Sequence, residues 1–110
     1  MEYQHTSLAA GRWQTMTLAE QMGNIGSEVS RACAWEARGQ MDQREKAFDR
    51  LLELFDLTVN DPRWRGARRR ELTRARETIR GSFVGNQTEE HLSSWKKYFD
   101  AFAIYARAAR

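Results

Sequence analysis

"DQREKAFDRLLELFDLTVNDPRW", residues 42–64, decides the fold. Ala47, Phe48, Leu51, Leu52, Phe55 and Val59 recur at helical spacing and fall on one broad apolar face, flanked by Leu54 and Leu57. The pattern begins at Asp42, with Glu45 three residues on as in a capping box. Pro62 ends it, because proline disfavours helical backbone in the residue before it.

Toward the N-terminus a second helical pattern covers about residues 18 to 38. Thr17 and Glu20 form a Thr-x-x-Glu capping box, and Gly39 follows the last periodic residue as a stop. Leu18, Met22, Ile25, Val29 and Ala32 make its apolar face. So short a link between the two patterns predicts antiparallel neighbours. The first pattern also carries a small-residue face of Ala19, Gly23, Gly26, Ser30 and Cys33. Each glycine within a helix costs about 1 kcal/mol relative to alanine, so something should compensate. Close approach of a neighbouring helix is the first reading, and a small ligand or a second subunit the others.

Toward the C-terminus, residues from about 67 to 84 carry a thin seam of Leu72, Ala75, Ile79 and Phe83. A fourth pattern places Leu92, Trp95, Phe99, Phe102 and Ala106 on one face, widened by Tyr98, Ile104 and Tyr105, with Thr88 or Ser93 as its cap. Glu89 and Glu90 near its start and Arg107 and Arg110 at its end suit the helix dipole. No strand alternation competes. The expectation is an all-α, antiparallel up-down-up-down four-helix bundle over residues 16–110, preceded by an N-terminal arm over residues 1–15.

With 110 residues and one proline, the chain suits a single domain. Four tryptophans place at least one at an interface or a bundle end. No apolar run reaches the roughly 20 residues of a membrane span, and the N-terminus lacks a basic-then-apolar leader. The single cysteine, Cys33, excludes an internal disulfide and fits a reducing compartment, so the expected location is cytoplasmic.

Charge is unevenly spread. "RWRGARRRELTRARETIR", residues 63–80, holds eight arginines and two glutamates, while the whole chain nets only +3. Helical projection from Leu72 puts Arg70 and Arg74 on the far side of the third helix with Glu77. Arg69, Arg76 and Arg80 form a flanking stripe about 40° to 80° from the seam, and Arg68 lies on the other flank. Such a stripe can pair with Glu28, Glu36, Asp49 or Asp56 on neighbouring helices. Glu36 projects onto an apolar face and needs a partner, for which Arg76 is the first choice. The others, Arg63, Arg65, Arg69, Arg70, Arg74 and Arg80, outnumber the nearby acids. Such a patch binds a phosphate backbone through counterion release, and Trp64 can stack on an unpaired base.

Other chemistry lacks its signature. His5, His91 and Cys33 have no ligand spacing for a metal, "GNIGSE" lies within a helical pattern rather than after a strand, and no cofactor motif occurs. Cys33 reads as a buried thiol. HEPN-type helical nucleases pair an arginine with a histidine within a short helical span, whereas ten residues separate Arg80 from His91. No catalytic residue is assigned.

"EQMGNIGSEVSRA" (20–32), "AFDRLLELFDLTVNDPRWRG" (47–66) and "RARE" (74–77) together resemble a group of small prokaryotic helical-bundle proteins of about this length. No established activity attaches to that group, so the resemblance implies a fold and no site. "GSFVGNQ" (81–87) departs from its more aromatic, acidic stretch after the third helix. Small basic bundles also include accessory proteins of diversity-generating retroelements and the ribosomal-intervening-sequence group, an analogy of fold alone. The leading expectation is a non-enzymatic accessory subunit binding RNA or single-stranded DNA through the third helix, as a homo-oligomer or with a partner protein. The alternatives are an interaction subunit without nucleic acid and a HEPN-like ribonuclease toxin.

Overall fold

A computed structural model describes residues 11–85 and 87–108. Four helices follow in order: α1 (Leu18–Ala37), α2 (Met41–Val59), α3 (Ala67–Val84) and α4 (Thr88–Ala108), and the described residues contain no strand. The Thr17–Glu20 capping box closes in both directions at 3.1 and 2.9 Å. Gly39, at φ 72°, takes the positive-φ position after α1. Gly66, at φ 60°, does the same at the entry to α3. α2 starts at Met41, so Asp42 lies inside the first turn rather than capping it; it meets the positive end of the helix dipole there. Thr88 opens α4 and spends its hydroxyl on the Glu36 carboxylate.

Pairs across helices fix the directions. Glu28 meets Arg50 at 3.2 Å and Glu36 meets Arg44 at 2.8 Å, so α1 and α2 run antiparallel. Asp56 meets Arg76 at 2.8 Å while Phe48 stacks on Phe83, which reverses α3 against α2. Gly26 lies under Phe99 and Glu36 beside Thr88, reversing α4 against α1. The bundle is therefore up-down-up-down.

Its core gathers Met22, Ile25, Val29 and Ala32 with Ala47, Phe48, Leu51, Leu54, Phe55, Leu72, Ile79, Phe83, Trp95 and Phe99. Leu54 and Leu57, expected as flanks, are buried, while Leu52 and Val59 are only partly so. The reason is that α2 lies between α1 and α3 and is covered over a wide arc. Leu92, expected on the α4 seam, is exposed, and the side chain of Ala106 lies outside the described set.

The arm needs a correction where it is described. Residues 13–15 form a 3₁₀ turn, and Trp13 is fully buried with its Nε1 donating to Thr58 Oγ1 at 2.9 Å. A large ring with a satisfied N–H seals the end of the bundle. The packed unit thus begins at Trp13, and residues 1–10 lie outside the described residues.

One buried charge ties all four helices together. Arg44, nearly inaccessible, donates to Glu36 Oε1 at 2.8 Å and to the Phe83 carbonyl at 2.8 Å, with its guanidinium 4.9 Å from the Phe83 ring. The expected Arg76–Glu36 pair is not formed. A tight α1–α2 link brings Arg44 alongside Glu36, whereas antiparallel α3 carries Arg76 to Asp56 near the other end of α2.

Candidate nucleic-acid interface

The loop before α3 is built around Asp61. Its carboxylate is fully buried and accepts from the Arg63 backbone N–H at 3.0 Å, the Arg63 guanidinium at 2.8 Å and Gln21 Nε2 at 3.0 Å. Burial pushes the Asp61 carboxyl up, but the bonds from Arg63 and Gln21 outweigh it and hold the group down at about 2. Gln21, also fully buried, donates to the Trp13 carbonyl and accepts from Trp64 Nε1 at 2.9 Å. "NDPRW" is thus a structural knot joining the 3₁₀ turn, α1 and the α2–α3 loop.

This knot absorbs two of the residues expected at the interface. Arg63 is bound to Asp61 and to the Met16 carbonyl at 2.7 Å, and its guanidinium covers the Trp64 ring at 4.5 Å. Trp64 is half-buried, so one face of its indole is already occupied. Both side chains are engaged in the knot, although Arg63 stays partly exposed.

The other arginines divide as helical projection suggests. On the flank facing α2, Arg69 donates to the Asp61 carbonyl at 2.9 Å, and Arg76 is held by Asp56 and Glu77. Arg80 only approaches Glu77, at 3.9 Å, and Arg68 meets Glu71 at 3.4 Å; both pairs are about half exposed. Such contacts contribute little in water. Arg65 is exposed and donates to the Pro62 carbonyl at 2.8 Å. Arg70 and Arg74 are exposed and, among the described residues, meet no carboxylate. In all, the eight arginines of 63–80 meet four carboxylates, Asp56, Asp61, Glu71 and Glu77. The surplus charge therefore lies on Arg65, Arg69, Arg70 and Arg74, of which Arg69 is half-buried against the Asp61 carbonyl and the other three are exposed, with Arg68 and Arg80 loosely tethered beside them.

Beside this surface α3 and α4 draw apart. They meet where Phe83 stacks on Trp95 at 5.6 Å, and again where Tyr98 donates to Glu71 at 3.3 Å. Between these contacts lies an open groove of about 350 Å³, mainly apolar, with Ala75, Ile79 and Trp95 in its lining and Arg74, His91 and Tyr98 along it. Burial, with the nearby Glu71 carboxylate, pushes the Tyr98 phenol up to about 12, which leaves it a neutral hydrogen-bond donor at ordinary pH. The helical pattern gave no hint of this groove, because a seam marks where helices can pack and not how closely they do.

The small-residue face of α1 is explained in part. A Cβ on Gly26 would sit 2.8 Å from Phe99 Cβ, so close packing of α4 demands glycine there. At Gly23 a Cβ would meet nothing within 4 Å. Gly23, Gly26 and Ser30 also border a smaller cleft of about 110 Å³ against α4, while Ala19 is half-buried at the start of the face.

Arg76 faces α2 while His91 lines the α3–α4 groove, and the arginine that lines the groove with His91 is Arg74. Burial and the Glu36 carboxylate push the half-buried Cys33 thiol up to about 11, against the pull of Arg44. Among the described residues no group of His, Cys, Asp or Glu is placed to hold a metal ion, and no helix is long and apolar enough to cross a membrane. No family model, curated protein or solved structure matches the chain.

Proposed function

We propose that this chain is a non-enzymatic binder of RNA or single-stranded DNA, contacting the phosphate backbone with the outer face of α3. The observation that carries this reading is the exposure of Arg65, Arg70 and Arg74 with no carboxylate partner among the described residues. Arg70 and Arg74 lie one helical turn apart on the same face, about 6 Å along the axis. Arg65 precedes them at the entry to the helix, and Arg68 and Arg80 hold their glutamates weakly enough to exchange them for phosphate.

A rigid backbone presents these charges: Gly66 sets the entry angle, and the Asp61 knot fixes the loop. Guanidinium forks carried on such a backbone suit bidentate contacts to phosphate oxygens. Nothing in the arrangement reads a base sequence, so the binding is broad and salt-sensitive.

The test is fluorescence polarisation with labelled single-stranded RNA and DNA. Charge reversal at Arg65, Arg70 and Arg74 together abolishes binding while the helical circular dichroism stays unchanged. Absence of salt-sensitive binding to any strand by the unaltered protein overturns the reading.

A further inference from the structure

We infer that the groove between α3 and α4 receives an unpaired base of the strand whose phosphates lie on the α3 face, an inference that rests on the function proposed above. Size is the first argument. At about 350 Å³ the groove falls at the lower end of the range of small-molecule sites, large enough for one flat ring system. It is bounded at one end by the Phe83–Trp95 stack and at the other by the Tyr98–Glu71 hydrogen bond, so it is a slot of limited length.

Chemistry is the second argument. The lining is apolar and aromatic, and His91 and Tyr98 stand two turns apart on the same face of α4. Trp95 is buried and already stacked on Phe83 and on His91, at 5.6 and 6.1 Å, so the rings left to meet the π-face of a base are His91 and Tyr98; stacking of this kind holds single strands without sequence preference. Thr78 and Ser94 also line the slot; the Thr78 hydroxyl, which donates to the Arg74 carbonyl at 2.9 Å, can still accept from the polar edge of a base, a capacity that an alkyl chain would leave unused. Openness to water along its length likewise disfavours an alkyl ligand, which would stay half-solvated.

Charge is the third. Arg74 both borders the slot and belongs to the unpaired outer set, so one guanidinium adjoins an aromatic recess and the phosphate track. That juxtaposition matches a nucleotide unit, with its base inward and its phosphate outward on Arg74.

The experiment compares an ordinary single-stranded DNA with an abasic strand of the same length and phosphate count, and with a free nucleoside monophosphate. The unaltered protein is expected to bind the ordinary strand about tenfold more tightly than the abasic one. Thr78→Leu and Ser94→Leu each narrow the slot from an exposed position with an aliphatic chain that offers a base no stacking face, without changing charge. Either variant is expected to lose the preference for bases while keeping the salt-dependent affinity for the abasic strand. Equal affinity of the unaltered protein for both strands, or a preference that survives both substitutions, overturns the base slot and leaves the phosphate reading standing. Failure to bind either strand removes the phosphate reading and the inference with it. Binding of the free nucleotide as tight as that of the strand overturns the strand and retains a nucleotide site.

Discussion

Arg63 and Asp61 close on each other within a single turn of the α2–α3 loop, guanidinium to buried carboxylate at 2.8 Å. This pair separates the arginines that build the protein from those free to face a ligand. Because the Asp61 carboxyl is held well below its unfolded value of 3.8, it contributes stability that is complete above about pH 4. That contribution is lost as pH falls through the folded value of about 2. Asp61→Asn is expected to cost about 1–3 kcal/mol at pH 7 and to flatten the stability profile between pH 4 and 2. Urea unfolding across that window checks it; a variant whose stability still falls as steeply would show that other carboxylates govern the acid limb.

The two glycines of α1 should respond in opposite senses. Gly23→Ala adds a Cβ into open space and improves helix propensity, so it is expected to stabilise by about 0.5–1 kcal/mol. Gly26→Ala drives a Cβ against Phe99 and is expected to destabilise by about 1–2 kcal/mol after the same propensity gain. Thermal melts of the two variants side by side decide the matter.

Arg44 is the charge the fold can least do without. Arg44→Ala removes the Phe83 carbonyl's guanidinium donor and leaves Glu36 with Thr88 as its remaining donor, and is expected to cost about 3 kcal/mol. Arg76→Ala, at a more open pair with Asp56, should cost far less, about 1 kcal/mol or below. Denaturant midpoints of the two variants should differ accordingly, and equal losses would refute the assignment of Arg44 as the central tie.

Cys33 should be inert while the bundle is folded. With its thiol pushed up to about 11, only a small fraction is thiolate at pH 8, and reaction with a thiol reagent should be slow until denaturant is added. Prompt labelling of the native protein would contradict the burial of that position.

Much of the fold is legible in the chain because period and punctuation agree. The α1 capping box, the Gly39 stop, the Pro62 break and the apolar seams around Ile25, Phe55 and Ile79 lead to the same bundle. What escapes is pairing across helices. Projection placed Glu36 on an apolar face and asked for an arginine, yet the partner is Arg44 in the first turn of α2, while Arg76 of α3 meets Asp56 near the other end of α2. Trp13 escapes because no periodicity announces a single ring that plugs a bundle end. The interface was half legible. Solvated Arg70 and Arg74 follow from helical projection, while the capture of Arg63 and Trp64 depends on a buried Asp61 and Gln21 forty residues apart in sequence. The α3–α4 groove depends on how far two helices splay, which no spacing encodes.

The central claim is that unpaired guanidiniums on α3 displace counterions from a single strand, and the slope of log affinity against log salt measures it directly. Three free arginines, with Arg68 and Arg80 able to join them, predict a slope between about −2 and −3.5, reduced by about one to one and a half in the Arg70→Gln, Arg74→Gln double variant. A slope near zero, or one the double variant leaves unchanged, would contradict the account.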